Sequence, residues 1–289
     1  FLRKSCIALM INKEYKRKSF NRAALTYDSY STLQDIISCN LIDRLKTIKL
    51  DPLHILDLGC GTGTNGLNLR RKYKKSRIIN YDFSENMLKM ARIKQKKIIL
   101  GGLNPYSYIC ADIEAIPLEE NSLDLVWSSS TLQWCNDLDL VFNQVKKILK
   151  PRGLFIFSTF GPNTLNELRE ITENLFNEKK TSTFIDMNNI GNLLMHSGFI
   201  NPTLDVENLT VKYKEVEKLF KDIKSIGATN GNVSKNRGLS GRSFTKKIID
   251  NYEAYRENNL LPASYEVIYG HAWNISKSPS EHLPIMSKK

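Results

Sequence analysis

One stretch limits what this chain can fold into more than any other: a short apolar run that enters three glycines in five residues. His54-Ile55-Leu56-Asp57-Leu58 reads as a buried strand, and Gly59-Cys60-Gly61-Thr62-Gly63 follows it directly. Glycine costs stability in a regular element, so the cluster marks a backbone that must bend sharply and stay open to a ligand. Residues 64–73 can form the helix beyond the turn. A second apolar run, 76–81, ends at Asp82, where a carboxylate can accept hydrogen bonds from both hydroxyls of a ribose. Strand, glycine turn, helix, strand and acid form one half of a nucleotide-binding sheet. The βαβ alternation continues downstream and predicts an α/β fold with a doubly wound, mostly parallel, seven-stranded sheet.

Two ligands fit this layout. Read as Gly61-x-Gly63-x-x-Gly66, the turn matches the dinucleotide fingerprint, with Asp82 on the ribose of NAD. Read as Asp57-x-Gly59-x-Gly61-x-Gly63, it resembles the first motif of the class I methyltransferases. That resemblance implies a loop holding the methionine end of S-adenosylmethionine, with Asp82 on its ribose. A third strand at 107–110 runs into Ala111-Asp112-Ile113-Glu114, and the family places an acid here on the adenine amino group with an apolar neighbour on the ring. Residues 121–128 look like the family's fourth strand and end at Ser128 beside the donor. Met87, three residues after the helix cap Ser84, has family analogues near the adenosine. Turn, ribose acid and adenine acid in this order favour the methyl donor. The expected cofactor set is Asp57, Gly59, Gly61, Gly63, Asp82, Met87, Asp112, Ile113 and Ser128.

Along the chain, 19–50 reads as a helical cap whose apolar positions from Leu33 to Ile48 recur at three and four. Tyr27, Tyr30 and Gln34 lie where they could cover a ligand. Lys150-Pro151-Arg152-Gly153 should stop a helix and turn the chain into a fifth strand at 154–160. Helices are expected at 163–177, 186–197, 216–226 and 243–258, strands at 204–213 and 265–273, and a polar loop at 231–241. A single domain at 19–275 is therefore expected, with 51–160 binding the cofactor and 161–275 on the substrate side and forming a lid. An extension at 1–18 and a tail at 276–289 are expected outside the ordered fold. The chain starts at Phe1, and Met10 is a plausible native start, so removing residues 1–9 should leave activity intact.

The 289 residues can bury one large core or two smaller ones. No run approaches the roughly 18 apolar residues that span a bilayer, so no membrane partner is expected. The five cysteines are scattered without a Cys-x-x-Cys pair, which suggests no metal site or disulfide framework and points to a reducing cytoplasm. A net charge of +12 favours an acidic partner. Nucleic acid is one candidate and an acidic carrier protein another; no zinc module, RNP-type sequence or aromatic-basic interleaving is present, so no nucleic acid partner is specifically indicated.

The chain further resembles the malonyl-acyl-carrier-protein O-methyltransferase family of biotin synthesis, over roughly residues 19–275. The resemblance rests on Phe20-Asn21-Arg22-Ala23-Ala24 with Tyr27 and Gln34, on Leu132-Gln133-Trp134, on Gly161-Pro162-Asn163-Thr164-Leu165 with Glu167-Leu168-Arg169, and on Lys224-Ser225-Ile226-Gly227-Ala228-Thr229-Asn230. It implies methylation of the free carboxylate of a malonyl group on acyl carrier protein, by a monomer. Such a carboxylate is ionised at pH 7 and needs orientation rather than a strong base. Arg169 and Tyr27 are the candidates for that task; the alternatives are an ion pair of Arg169 with Glu173 and a core tyrosine. Trp134 is expected as a wall of the substrate pocket. Lys235, Arg237 and Arg242, with Lys246 and Lys247, are expected to dock the acidic carrier. A methyltransferase on RNA or a quinone, and a donor-binding assembly factor without catalysis, remain the alternatives.

Overall fold

The structure is a computed structural model that describes residues 11–97, 104–176, 184–228 and 239–275, without the side chains of 176 and 239–242. Strands β1 (His54–Leu58), β2 (Arg77–Asp82), β3 (Tyr106–Cys110), β4 (Leu123–Ser129), β5 (Leu149–Phe160), β6 (Ile200–Tyr213) and β7 (Leu261–Asn274) form one sheet in the order β3-β2-β1-β4-β5-β7-β6. The first five run parallel, and β7 enters antiparallel between β5 and β6. The chain winds outward from β1 through β2 to β3, then returns to pair β4 with the other side of β1. This reversal opens a crevice beyond the carboxyl ends of β1 and β4, where such sheets bind ligands.

The helices are α1 (Lys13–Ala23), α2 (Tyr27–Tyr30), α3 (Thr32–Lys46), α4 (Thr64–Lys72), α5 (Glu85–Lys96), α6 (Leu138–Ile148), α7 (Asn166–Phe176), α8 (Met187–His196), α9 (Val216–Ser225) and α10 (Leu239–Tyr252). Both sheet faces are covered, which explains why β1 reads as a continuous apolar run rather than an alternating one. Ile55, Leu125 and Ile156 point to the face packed by α3 and α4. Leu56, Val126 and Phe155 point to the opposite face, packed by α6 and α8.

Several expected boundaries move: β6 and β7 start at Ile200 and Leu261 rather than at 204 and 265, and α10 ends at Tyr252 rather than at 258. The helical cap is made of three helices, and it starts at Lys13, six residues before position 19. The Asn12 side chain caps the new start by accepting from the Tyr15 N–H at 2.8 Å, so 13–18 belong to the fold rather than to an extension. Lys150-Pro151-Arg152-Gly153 does not precede the fifth strand but lies inside β5. The ladder to β4 shifts register there and Arg152 takes a left-handed φ of 65°. Helix α7 starts at Asn166 rather than 163, because Leu165 has a φ of 53° and donates its N–H to Ser264. The expected tail at 276–289 lies outside the described residues.

Candidate active site

The glycine turn is fastened before it meets any ligand. The N–H groups of Gly59 and Cys60 both donate to the Tyr81 carbonyl, at 2.8 and 2.9 Å, so the loop after β1 hangs on the end of β2. All three glycines have left-handed φ, at 81°, 52° and 80°, which favours glycine. They do so for different reasons. A Cβ on Gly59 would meet Thr131 at 2.1 Å, and one on Gly63 would meet Ala91 at 2.7 Å. These two let elements pack. A Cβ on Gly61 would find nothing closer than the Tyr27 ring at 4.0 Å. Gly61 therefore bares its backbone to open space, as a ligand-facing residue should.

Asp82 closes this end. Its Oδ2 accepts the Gly61 N–H at 2.9 Å and its Oδ1 accepts the Ser84 N–H at 2.8 Å. Each oxygen keeps a lone pair for a further donor. Burial pushes its pKa up to about 6, against the pull of the Ser84, Gly61 and Phe83 N–H groups. Asp57 lies beneath the turn, fully buried, and neither oxygen makes a well-formed hydrogen bond. Burial, then the Asp82 charge, push it up to about 8, with the Gly66 N–H opposing. A buried carboxylate without a partner suits a neighbouring cation.

Gly59, Gly61, Asp82, Met87, Asp112 and Ile113 all border one cavity of about 1060 Å³, at the upper end of small-molecule sites. Helix α1 covers this end. Phe20 meets Phe83 and Trp134 edge-on at 5.7 and 5.8 Å. The Asn21 side-chain oxygen accepts from the Ser84 hydroxyl at 2.7 Å and the Asn86 N–H at 3.1 Å. Lys13 bridges Asp112 at 2.8 Å and Glu114 at 3.1 Å. Lys16, buried, stands 3.6 Å from the centre of the Trp134 ring, and burial pulls it down to about 7. Tyr27 also borders the cavity. Burial, then the charges of Asp82, Asp35 and Asp28, push its phenol above the usual range, so it stays a hydrogen-bond donor.

The far end of the cavity is mostly apolar, walled by Leu168, Phe184, Val211, Phe220, Ile223 and Ile248, with Lys212, Tyr213 and Asp222 also on its wall. The buried side-chain oxygen of Gln34, without a hydrogen-bond partner, also belongs to the wall. Among the described residues, the lysines that border the cavity are Lys13, Lys212 and Lys224.

Several expected site residues fall elsewhere. Arg169 does not border the cavity: α7 turns Leu168 and Thr172 toward it, and one further residue rotates the guanidinium away, where it donates to the Thr164 carbonyl at 3.3 Å. Ser128 is wholly buried and donates to the Leu58 carbonyl at 3.0 Å; its neighbours Ser129, Ser130 and Thr131 line the cavity instead. Gly63 and Asp57 lie behind the wall. Trp134 stands in it. Lys235 and Arg237 lie outside the described residues, as does the side chain of Arg242. Lys13 was missed, because the first residues read as an extension; Asn12 in front of a helical run was the available signal.

The open backbone at Gly61, the paired lone pairs of Asp82, the acid Asp112 beside apolar Ile113 and the unpartnered Asp57 fit S-adenosylmethionine. Residues 56–157 match the family described as "Methyltransferase domain". The chain is similar to solved structures at the level of the fold. One is Haemonchus contortus phosphoethanolamine N-methyltransferase 2 in complex with S-adenosyl-L-methionine, with a TM-score of 0.57 at 18% identity over 89% of this chain and 57% of that one. Another is the YcgJ protein from Bacillus subtilis, with a TM-score of 0.58 at 16% identity over 82% of this chain and 98% of that one. Several curated relatives carry the name malonyl-[acyl-carrier protein] O-methyltransferase. That of Methylovorus sp. is 44% identical over 92% of this chain and 90% of its own length. That of Gallionella capsiferriformans is 40% identical over 91% of each. With this likeness along nearly the whole length and the methyltransferase sheet beneath it, the chain belongs to the malonyl-[acyl-carrier protein] O-methyltransferase family.

Proposed function

We propose that this chain transfers the methyl group of S-adenosylmethionine to the free carboxylate of a malonyl thioester on acyl carrier protein, which in the family primes biotin synthesis. The observation that carries this is the continuity of the cavity: a nucleoside grip at one end opens into an apolar chamber with a lysine at the seam. The names of the relatives supply the substrate, and the net charge of +12 suits an acidic carrier.

When bound, S-adenosylmethionine supplies a methyl carbon already activated by its sulfonium. The chain supplies position. Asp82 holds the ribose hydroxyls, Asp112 and Ile113 hold the base, and Gly61 lets the ligand lie against bare backbone. Asp57, held largely protonated at pH 7 by its burial, can give up its proton beneath the turn when the cationic amino acid end binds. The acceptor carboxylate carries its charge at pH 7, so the chain need not remove a proton. Its task is to strip water, aim an oxygen and keep the approach near 3 Å. Apolar walls do the first.

Lys224 is suited to the second, in place of Arg169. It ends α9, where a cation also complements the helix dipole, and it makes no ion pair among the described residues. The end of α9 packs on the donor cap. The Thr26 hydroxyl donates to the Ser225 carbonyl at 3.3 Å, and a Cβ on Gly227 would lie 3.1 Å from Phe20. Lys224 thus stands where donor and acceptor ends meet. Its ammonium can orient a carboxylate as a point charge, and the Tyr27 hydroxyl, which borders the same cavity and stays protonated, can donate to it. The product is a neutral ester, which loses its hold on the lysine and suits the apolar chamber.

Incubation with labelled donor and malonyl carrier protein, with acetyl carrier protein as comparison, tests this. Label should enter only the malonyl carrier. Label in neither carrier, or in added RNA instead, overturns it.

A further inference from the structure

Lys13 occupies a position that helix chemistry disfavours. It is the first residue of α1, at the positive end of the helix dipole, where an acid is preferred. Local rules are broken where something else is gained. Here the ammonium is held by two carboxylates, Asp112 Oδ1 at 2.8 Å and Glu114 Oε1 at 3.1 Å. Burial pulls its pKa down, but the two acids outweigh that and leave it above the ordinary lysine value.

The segment carrying Lys13 is fixed in place. The Asn136 side chain accepts the Ile11 N–H at 2.7 Å and donates to the Ile11 carbonyl at 3.2 Å. Glu114 Oε1 also accepts the N–H groups of Asn136 and Asp137. On Asp112, Oδ1 takes both the ammonium and the Glu114 N–H, the latter at 3.0 Å. Oδ2 has no partner among the described residues, and Asp112 borders the cavity beside Ile113. One oxygen is saturated by the protein and the other is left for a ligand.

We infer that Lys13 is a positioning residue for the donor: it saturates Oδ1 of Asp112, so that Oδ2 is presented to the amino group of the nucleobase and the site distinguishes adenine from a base with a carbonyl there. This rests on Asp112 facing the base. A carboxylate held in one rotamer accepts a hydrogen bond from an amino group and repels a carbonyl oxygen. Freed from Lys13, it can rotate, and the distinction fades.

Titration calorimetry with S-adenosylhomocysteine and its inosine counterpart tests this. The wild-type protein should prefer the adenosine compound by roughly tenfold or more, the discrimination expected for one hydrogen bond to a charged partner. Lys13→Ala should reduce that ratio several-fold, and Lys13→Arg should keep most of it. The KM for the carrier substrate should not move in either variant. If Lys13→Ala weakens both compounds equally, or leaves the ratio intact, the inference falls, because α1 then acts only as a cover. Asp112→Ala separates the underlying assignment. An unchanged ratio in that variant removes Asp112 from the base; a collapsed ratio there with an unchanged one in Lys13→Ala removes Lys13 alone.

Discussion

The two ends of the cavity are built on opposite plans. At the donor end the two acids that border the cavity are held before the ligand arrives: Asp82 by Gly61 and Ser84, and Asp112 by Lys13 and Glu114. At the acceptor end the walls are mostly apolar, with Lys212 and Asp222 among them, and Lys224 makes no ion pair among the described residues. The first plan pre-pays the ordering of a polar ligand and so favours affinity and discrimination. The second removes water around a charged nucleophile and leaves few charges to aim it, Lys224 among them, which favours rate. The lesson is that binding and chemistry are assigned to different elements, so they should be separable by mutation.

The largest effect should come from the donor end. Gly61→Val fills the only open face of the turn and strains a left-handed φ of 52°. Donor affinity should fall by roughly a hundredfold or more, while the thermal unfolding midpoint falls only modestly, since the new side chain meets solvent or ligand rather than core. Calorimetry and thermal melts check the pair of outcomes. A variant that binds the donor normally would mean that the turn does not face it.

Next comes the mirror experiment at the acceptor end. Lys224→Ala should lower kcat/KM for malonyl carrier protein by roughly ten- to a hundredfold, the scale of a charge-assisted hydrogen bond, with donor affinity unchanged. Arg169→Ala, outside the cavity, should stay within roughly twofold of wild type. Reversal of that order would restore Arg169 as the orienting cation.

A smaller effect is set by pH. Asp82 has a raised pKa of about 6. Its charged form is the better acceptor for ribose hydroxyls, so ligand binding draws on the ionised state. Donor affinity should therefore hold above pH 6 and weaken as pH falls through it, by at most about tenfold per pH unit. Asp82→Asn should bind weakly at all pH values and lose this dependence. For stability the sign is opposite: a raised carboxylate pKa favours the folded ligand-free protein at low pH and costs it stability as pH rises through about 6.

The smallest effect belongs to carrier docking. Charge reversal at Lys235, Arg237 and Arg242 should raise KM for the carrier substrate a few-fold at low salt, and the difference should vanish near molar salt, where the Debye length is about 3 Å. Donor binding should not change.

The same contrast decides how much was legible beforehand. The donor end is local: Asp57, Gly59, Gly61, Asp82 and Asp112 lie on consecutive βαβ units, and each sits at the end of a strand that its own apolar run reveals. The parallel winding and the covered faces of the sheet follow from the same runs, whereas the antiparallel entry of β7 between β5 and β6 does not. The acceptor end is assembled from α7, β6, α9 and α10, which meet only after the sheet closes. There the phase of a helix matters, and Arg169 was misplaced because α7 begins after a left-handed Leu165 rather than at 163. Ser128 failed for a similar reason: successive side chains of β4 point to opposite faces, so one residue separates a buried hydroxyl from the cavity wall. Lys13 was missed because a highly charged helix carries no apolar stripe, and its partner Asp112 lies 99 residues away.

The central claim is that both ends act on one reaction, and the place where the methyl group lands tests it most directly. After incubation with donor, intact and fragment mass spectrometry of the malonyl carrier should show one added methyl group on the terminal carboxylate, as an ester, with the thioester intact and the carrier's own side chains unmodified. A carrier that returns unmodified while the donor demonstrably binds, or a methyl group found on a carrier side chain, would contradict the account.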